Sequence, residues 1–163
     1  MIRQALLIQE LKNQLAIWRQ AGKKIVFTNG VFDILHLGHA TYLEAAALHG
    51  DVLVVGINSD HSVRRLNKGP ERPIHTAENR AQLLTALQSV SAVIIFDEDT
   101  PHELILQVQP DVLVKGGDYD ADCIDTTHPK YIVGSKEVKN AGGKVITIPL
   151  VAGHSTTQIL ARR

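Results

Sequence analysis

The chain has a single cysteine in 163 residues, no excess of either charge and no long apolar run, and each scarcity removes a class of protein. Cys123 alone cannot build an internal disulfide framework, which fits a reducing compartment and leaves an ordinary loop thiol. Lys plus Arg and Asp plus Glu number 17 each, so the formal net charge is zero. That balance advertises neither a nucleic acid nor an anionic membrane as partner; any anion must be held by local arrangement. No stretch approaches the roughly 18 apolar residues of a membrane span. The opening Met1-Ile2-Arg3-Gln4-Ala5-Leu6-Leu7 soon meets Gln9, Glu10, Lys12 and Asn13, which is an amphipathic helix and not a signal peptide. A cytoplasmic protein with small-molecule partners is expected. Repeats, low-complexity stretches and linkers are also missing, so one domain is predicted over residues 23–163, with residues 1–22 as a helical extension.

What is present is a regular alternation. Apolar, β-branched runs stand at Lys24-Ile25-Val26-Phe27-Thr28, at residues 51–57, 92–96 and 111–115, and at Lys144-Val145-Ile146-Thr147-Ile148. They are continuous and bounded by Gly, Asp or Pro, as strands buried on both faces are. Helical patterns fall between them at about residues 37–49, 76–89, 101–109 and 134–141, after an opening helix at about 2–21. The fold class predicted is α/β: a doubly wound, Rossmann-like sheet of five parallel strands with helices on both faces. In such sheets ligands bind at the carboxyl ends of the strands. Here those ends carry Thr28-Asn29-Gly30, Asn58-Ser59-Asp60, Asp97-Glu98-Asp99 and Lys115-Gly116-Gly117-Asp118. Two long loops, residues 67–73 and 116–130, are expected to be functional or mobile.

The motifs of the commonest nucleotide sites are absent. No Gly-x-Gly-x-x-Gly follows the first strand, and no Gly-Lys-Ser/Thr occurs anywhere. No His-Glu-x-x-His or cysteine cluster supports zinc. The first strand instead runs into Thr28-Asn29-Gly30-Val31-Phe32-Asp33-Ile34-Leu35-His36-Leu37-Gly38-His39. Gly30 suits a tight turn with free amides. His36 and His39 flank Gly38 where a helix begins, and a helix start offers unpaired N–H groups and a positive dipole end to a phosphate. Gly38 lets a phosphate approach the backbone, and two imidazoles three residues apart reach one polyphosphate. A structural pair, or a chance metal pair, is the alternative.

The segment matches the signature of the HxGH nucleotidylyltransferase superfamily and resembles its cytidylyltransferase-like branch. Together with Val55-Gly56-Ile57-Asn58-Ser59-Asp60 and Leu113-Val114-Lys115-Gly116-Gly117-Asp118-Tyr119, it is similar to the adenylyltransferases that form ADP-heptose, over about residues 20–160. The resemblance implies transfer of AMP from ATP to a heptose 1-phosphate with release of pyrophosphate, in bacterial surface-glycan synthesis. It also implies Mg²⁺ carried by the nucleotide phosphates, and by analogy a homodimer. His36, His39, Lys68 and Arg80 are the catalytic candidates it gives. The nucleotide is expected at Thr28, Asn29, Gly30, Phe32, Gly38, His39, Lys115, Gly116 and Asp118, with Ser155, Thr156 and Thr157 of the final helix. Asp33, Asn58, Asp60, Lys68 and Arg72 are expected at the acceptor, Asp33 near its phosphate or the metal-bound polyphosphate. Two departures stand out: Val31 replaces a frequent cysteine, and the segment from Asp120 to Pro129 is long.

The residues themselves keep plainer readings open. Ser155 serves equally as an N-cap, Asn58 and Asp60 as caps of a helix after the second strand, and Asp118 as a turn residue. Arg64 and Arg65 read as a solvated face, whereas Lys68, beside Gly69-Pro70, suits a mobile phosphate clamp. Leu150-Val151-Ala152 stands where glycerol-phosphate cytidylyltransferases place Arg-Thr, which argues against cytosine. A CTP-using enzyme acting on glycerol 3-phosphate and a nucleotide-binding module without turnover are the rivals.

Overall fold

Five short apolar strands set the architecture of the chain, which was analysed as a computed structural model describing residues 4–154 and 156–161. They are β1 (Ile25–Gly30), β2 (Val52–Asn58), β3 (Ala92–Phe96), β4 (Val112–Gly116) and β5 (Lys144–Ile148). All pair in parallel in the order β3-β2-β1-β4-β5. Every residue of β2 is buried, as a strand covered on both faces must be. The helices are α1 (Ile8–Gln20), α2 (Leu37–Ala47), α3 (Asp60–Arg65), α4 (Ala77–Thr85), α5 (His102–Val108), α6 (Ser135–Asn140) and α7 (Thr156–Leu160). Among the described residues, no helix is long and apolar enough to cross a membrane.

Two apolar layers sandwich the sheet. On one face Phe27, Val54 and Leu113 meet Leu11 and Leu15 of α1, Leu104 and Val108 of α5, and Val138 of α6. On the other, Val26, Leu53, Val55 and Val114 meet Leu43 and Ala46 of α2 and Ala81 and Leu84 of α4. The opening helix starts later than its amphipathic pattern suggests. Leu6 is extended, bridging Ile94 in parallel and donating its N–H to the Val93 carbonyl at 2.8 Å, so it covers the edge of β3. Helix α1 is then docked by Leu11 and Leu15, both fully buried, and by Arg19 donating to the carbonyls of Val108 and Gln109. The helical extension thus packs into the same core as the domain.

The sheet opens where its order reverses. Strand β1 matches β2 along its full length, from Ile25 opposite Val52 to Gly30 opposite Ile57. Against β4 the ladder holds only Val26 with Val112 and Phe27 with Leu113. Beyond those pairs the carboxyl ends of β1 and β4 separate. This is the switch point at which doubly wound sheets bind ligands.

Candidate active site

The turn leaving β1 carries an uncommon backbone. Phe32 holds φ 49°, a left-handed value that aromatic residues rarely adopt. Gly30, expected to make the turn, is instead the last residue of β1; a Cβ there would lie 3.0 Å from the Phe32 ring. The turned Phe32 ring meets His39 edge-on, with centroids 5.1 Å apart. His36 caps α2, its Nδ1 accepting the His39 N–H at 3.3 Å. The two imidazoles stack, 3.8 Å between centroids and 20° between planes. Gly38 makes this arrangement possible: a Cβ would come within 3.0 Å of the His154 carbonyl and of the His36 ring. The close approach it permits is therefore of helix to chain as well as of any ligand.

Both histidines are pushed toward the neutral form. Burial, then the charge of His36, pushes His39 down to about 4, with the Ile34 carbonyl offsetting part of the effect. His36 is lowered by burial and by His154. Among the described residues, the buried Nδ1 of His39 has no hydrogen-bond partner, and neither has Oδ1 of Asn29. Buried polar atoms are normally paired, so both are candidates for a ligand contact.

Around them lies a cleft of about 510 Å³ at the switch point, lined among others by Asn29, His36, His39, Lys68, Lys115 and Thr156. Gly30, Phe32, Gly38, Asn58 and Gly116 also face it. A second cavity of about 440 Å³ lies beside it, where His39, Lys68 and Thr156 recur with Arg72 and Thr157. Lys115 is buried, and burial lowers its pKa to about 8, with Asp118 opposing and Lys68 adding to the fall. Its ammonium lies 5.3 Å from the centre of the Tyr119 ring. Lys68 is exposed as a residue, yet packing around its ammonium, and then Arg72, lowers its pKa.

Other expected site residues are engaged by the protein itself, although Asn58 also lines the cleft and Asp33 the second cavity. Thr28 is buried and bonded to the Tyr42 hydroxyl at 2.7 Å, so it supports a cleft-lining tyrosine. Asp118 is exposed, folded back so that a Cβ on Gly116 would meet its Oδ1 at 2.8 Å. Arg80 is fully buried, and neither cavity is lined by it. It donates to the carbonyls of His75 (2.9 Å), Val31 (2.8 Å) and Asn58 (2.9 Å) and to Asp60 Oδ1 (2.7 Å). Asn58 donates to Ser62 at 2.9 Å, and Ser59, not Asn58 or Asp60, caps α3. Asp33, 1% exposed, accepts from Arg72 Nε and from the N–H groups of Ile74 and His75. Burial raises its pKa, but those donors together hold it below the usual carboxylate value. Its oxygens are engaged by these protein donors, while the residue also lines the second cavity. Ser155 lies outside the described residues.

Sequence reasoning passed over several groups that the fold brings to the cleft. His154, three residues ahead of Thr157, lines it and acts on His36. Tyr42, Tyr119, Tyr131 and Pro101 line it as well, from four separate segments. The only available signal was that Tyr42 and Tyr119 adjoin motif residues; Tyr131 and Pro101 carried none. The 116–130 loop that bears Tyr119 is pinned at its ends, Asp120 N donating to the Lys130 carbonyl at 3.0 Å.

These features agree with what the chain is similar to. It is 55% identical over 149 residues to the bifunctional protein HldE of Hyphomonas neptunium, covering 91% of this chain and 29% of that protein. Identity to HldE of Methylobacillus flagellatus is 53% over 145 residues, 89% of this chain and 28% of the relative. The chain thus spans under a third of the length of these relatives. Among solved structures, the lipopolysaccharide core biosynthesis protein of Thermoplasma volcanium superposes with TM-score 0.60 at 30% identity, over 80% of this chain and 98% of that one. Pantoate-beta-alanine ligase of Francisella tularensis shares the fold alone, with TM-score 0.59 at 15% identity over 97% of this chain and 75% of the ligase. The model of one family matches residues 27–162, beginning within β1, and the chain belongs to that family, the cytidylyltransferase-like proteins.

Proposed function

We propose that the chain is an adenylyltransferase that moves AMP from ATP to a heptose 1-phosphate, releasing pyrophosphate. The observation that carries this reading is the stacked, neutral His36–His39 pair at the start of α2, facing a switch-point cleft that also receives Lys68 and Lys115. An oxygen of the acceptor phosphate attacks the α-phosphorus; the new P–O bond forms as the bond to the β-phosphate oxygen breaks, and pyrophosphate leaves with that electron pair. The attacking oxygen is already anionic, so no base has to remove a proton. What the site must supply is positioning and stabilisation of charge on the phosphate oxygens.

Neutral imidazoles suit that task as N–H donors. A bound polyphosphate draws their pKa values upward and strengthens the donation. Lys68, reaching both cavities from an exposed loop, brings a mobile positive charge to the phosphates. Lys115 adds a second cation to the same cleft, and Thr156 and Thr157 offer hydroxyls. In this reading Arg80 positions the ends of β1 and β2 and does not touch phosphate. Among the described residues no group of three His, Cys, Asp or Glu could cage a metal, which fits Mg²⁺ held by phosphate oxygens and water. So bound, Mg²⁺ would neutralise phosphate charge.

The likeness to proteins named HldE and to a lipopolysaccharide core biosynthesis protein supports the heptose and surface-glycan setting. Free Cys123 and the use of ATP fit a cytoplasmic location. A homodimer, implied by the resemblance, is checked by sedimentation. The deciding experiment is a pyrophosphate-release screen pairing ATP and CTP with the two heptose 1-phosphate anomers and glycerol 3-phosphate. Release with ATP and a heptose 1-phosphate is the expected result; release only with CTP and glycerol 3-phosphate would replace this reading with its rival.

A further inference from the structure

The loop that delivers Lys68 is almost free of the rest of the fold. Residues 66–71 are all exposed, and their backbone bonds are local, Asn67 N to the Arg64 carbonyl at 3.3 Å and Arg72 N to Gly69 at 3.2 Å. At its far end the loop is fastened to the turn after β1 through two buried side chains. Asp33 accepts the N–H of Ile74 (2.8 Å at Oδ1, 3.0 Å at Oδ2), the N–H of His75 (3.0 Å) and Nε of Arg72. Arg80 bridges the carbonyls of the same two segments, His75 and Val31. Amides are thus held by an anion and carbonyls by a cation, across one seam between residues 31–33 and 74–75.

A carboxylate has about four acceptor positions. Three donors make four contacts, the Ile74 N–H being shared by both oxygens, and the residue is 1% exposed, so most of the Asp33 carboxylate is occupied by protein although the residue borders the second cavity. Its neighbours explain its position in the motif. Phe32, one residue earlier, takes the left-handed φ and contacts His39; three residues later comes His36. The backbone that sets the histidine pair therefore also sets the anchor of the lysine loop.

We infer that Asp33 is a positioning residue, which registers the Lys68–Arg72 loop against the His36–His39 pair so that both grip the same phosphates. It acts through Lys68 and Arg72 and makes no contact with the substrates. The binding arm below rests on the adenylyltransferase reading; the exchange arm does not.

The test uses the full chain as wild type, Asp33→Ala, Lys68→Ala and the double variant, with Asp33→Asn as the milder form. Hydrogen exchange on the unliganded proteins reads the anchor: in Asp33→Ala, amides of residues 66–75 should exchange at least about tenfold faster, while β1 and β2 stay protected. Titration with Mg-ATP reads the coupling. Asp33→Ala and Lys68→Ala should each weaken binding about tenfold, and the double variant should be no more than about threefold weaker than Lys68→Ala alone. Losses that multiply to about a hundredfold would mean that Asp33 acts on the ligand independently, and would overturn the inference. So would exchange that rises equally across the domain, or failure of both Asp33 variants to fold, since each makes Asp33 a general stability element. If the protein binds no ATP, or releases pyrophosphate with no acceptor, the adenylyltransferase reading fails while the exchange result still decides the anchor.

Discussion

Replacing His36 by asparagine separates two roles that the side chain combines. Its Nδ1 caps α2 through the His39 N–H, and its ring stacks on His39 at the mouth of the cleft. Asparagine is among the best N-cap residues, so it keeps the first role and removes the second. The cap bond is long, 3.3 Å, and its full loss would cost about 0.5 kcal/mol, the low end for caps. For a chain of this size that is a fall of about 1–2 °C in Tm, and Asn should show less. Loss of one preorganised donor to developing charge costs about 2.7–4 kcal/mol of barrier, or about 10²–10³ in kcat. The variant should therefore melt close to wild type and turn over at least about a hundredfold more slowly, with KM for ATP changed much less. The assay is continuous pyrophosphate release on a variant whose melting curve has been recorded from the same preparation. A His36→Asn protein with kcat within threefold of wild type refutes the chemical role; a drop of 10 °C with normal turnover would make the imidazole a structural group.

Under matched conditions ATP should exceed CTP in kcat/KM by at least about tenfold, since one discriminating contact is worth roughly 1–3 kcal/mol; equal rates would sink the adenine assignment. Stability should fall with acid between the ordinary histidine pKa of 6.5 and about 4, because there the unfolded chain binds the proton that folded His39 refuses. Urea melts should show a flatter pH slope in that window for His36→Ala/His39→Ala, and an unchanged slope would contradict the neutral pair. Arg80→Gln leaves Asp60 and three carbonyls short of a buried partner and should cost about 3–5 kcal/mol, read from urea unfolding, with Arg80→Lys a poor rescue because one ammonium cannot span four acceptors.

Most of the sheet was legible because its signal is local. Five continuous β-branched runs are the pattern of strands buried on both faces, and their alternation with helices then favours a parallel sheet and leaves little freedom in the order of elements. The rim followed from the same logic: Asn29, Asn58, Lys115 and Gly116 all reached the cleft from strand ends. The exceptions have nonlocal causes. The first helix begins late because Leu6 finds the open edge of β3, a partner nearly ninety residues away that no window of sequence contains. Tyr131 and Pro101 reach the cleft only because the loops around them fold inward, which periodicity does not encode.

The roles of Asp33 and Arg80 were hidden for a different reason. Asp33 lies in the segment after the first strand and the resemblance offers Arg80 for catalysis, so both invite the reading that they meet the ligand, and sequence carries no record of burial. Once folded, Arg80 is 0% and Asp33 1% exposed, and each is surrounded by protein donors or acceptors. A charge taken that far from water is tolerable only where its partners are fixed, so the energy that keeps it there also fixes the partners. For Asp33 those partners are the amides behind a lysine loop; for Arg80 they are the carbonyls of β2, the β1 turn and the same loop. On the proposed reading such residues serve the phosphates at one remove: the histidines supply the donors, and Asp33 and Arg80 set where the histidines and Lys68 stand relative to one another.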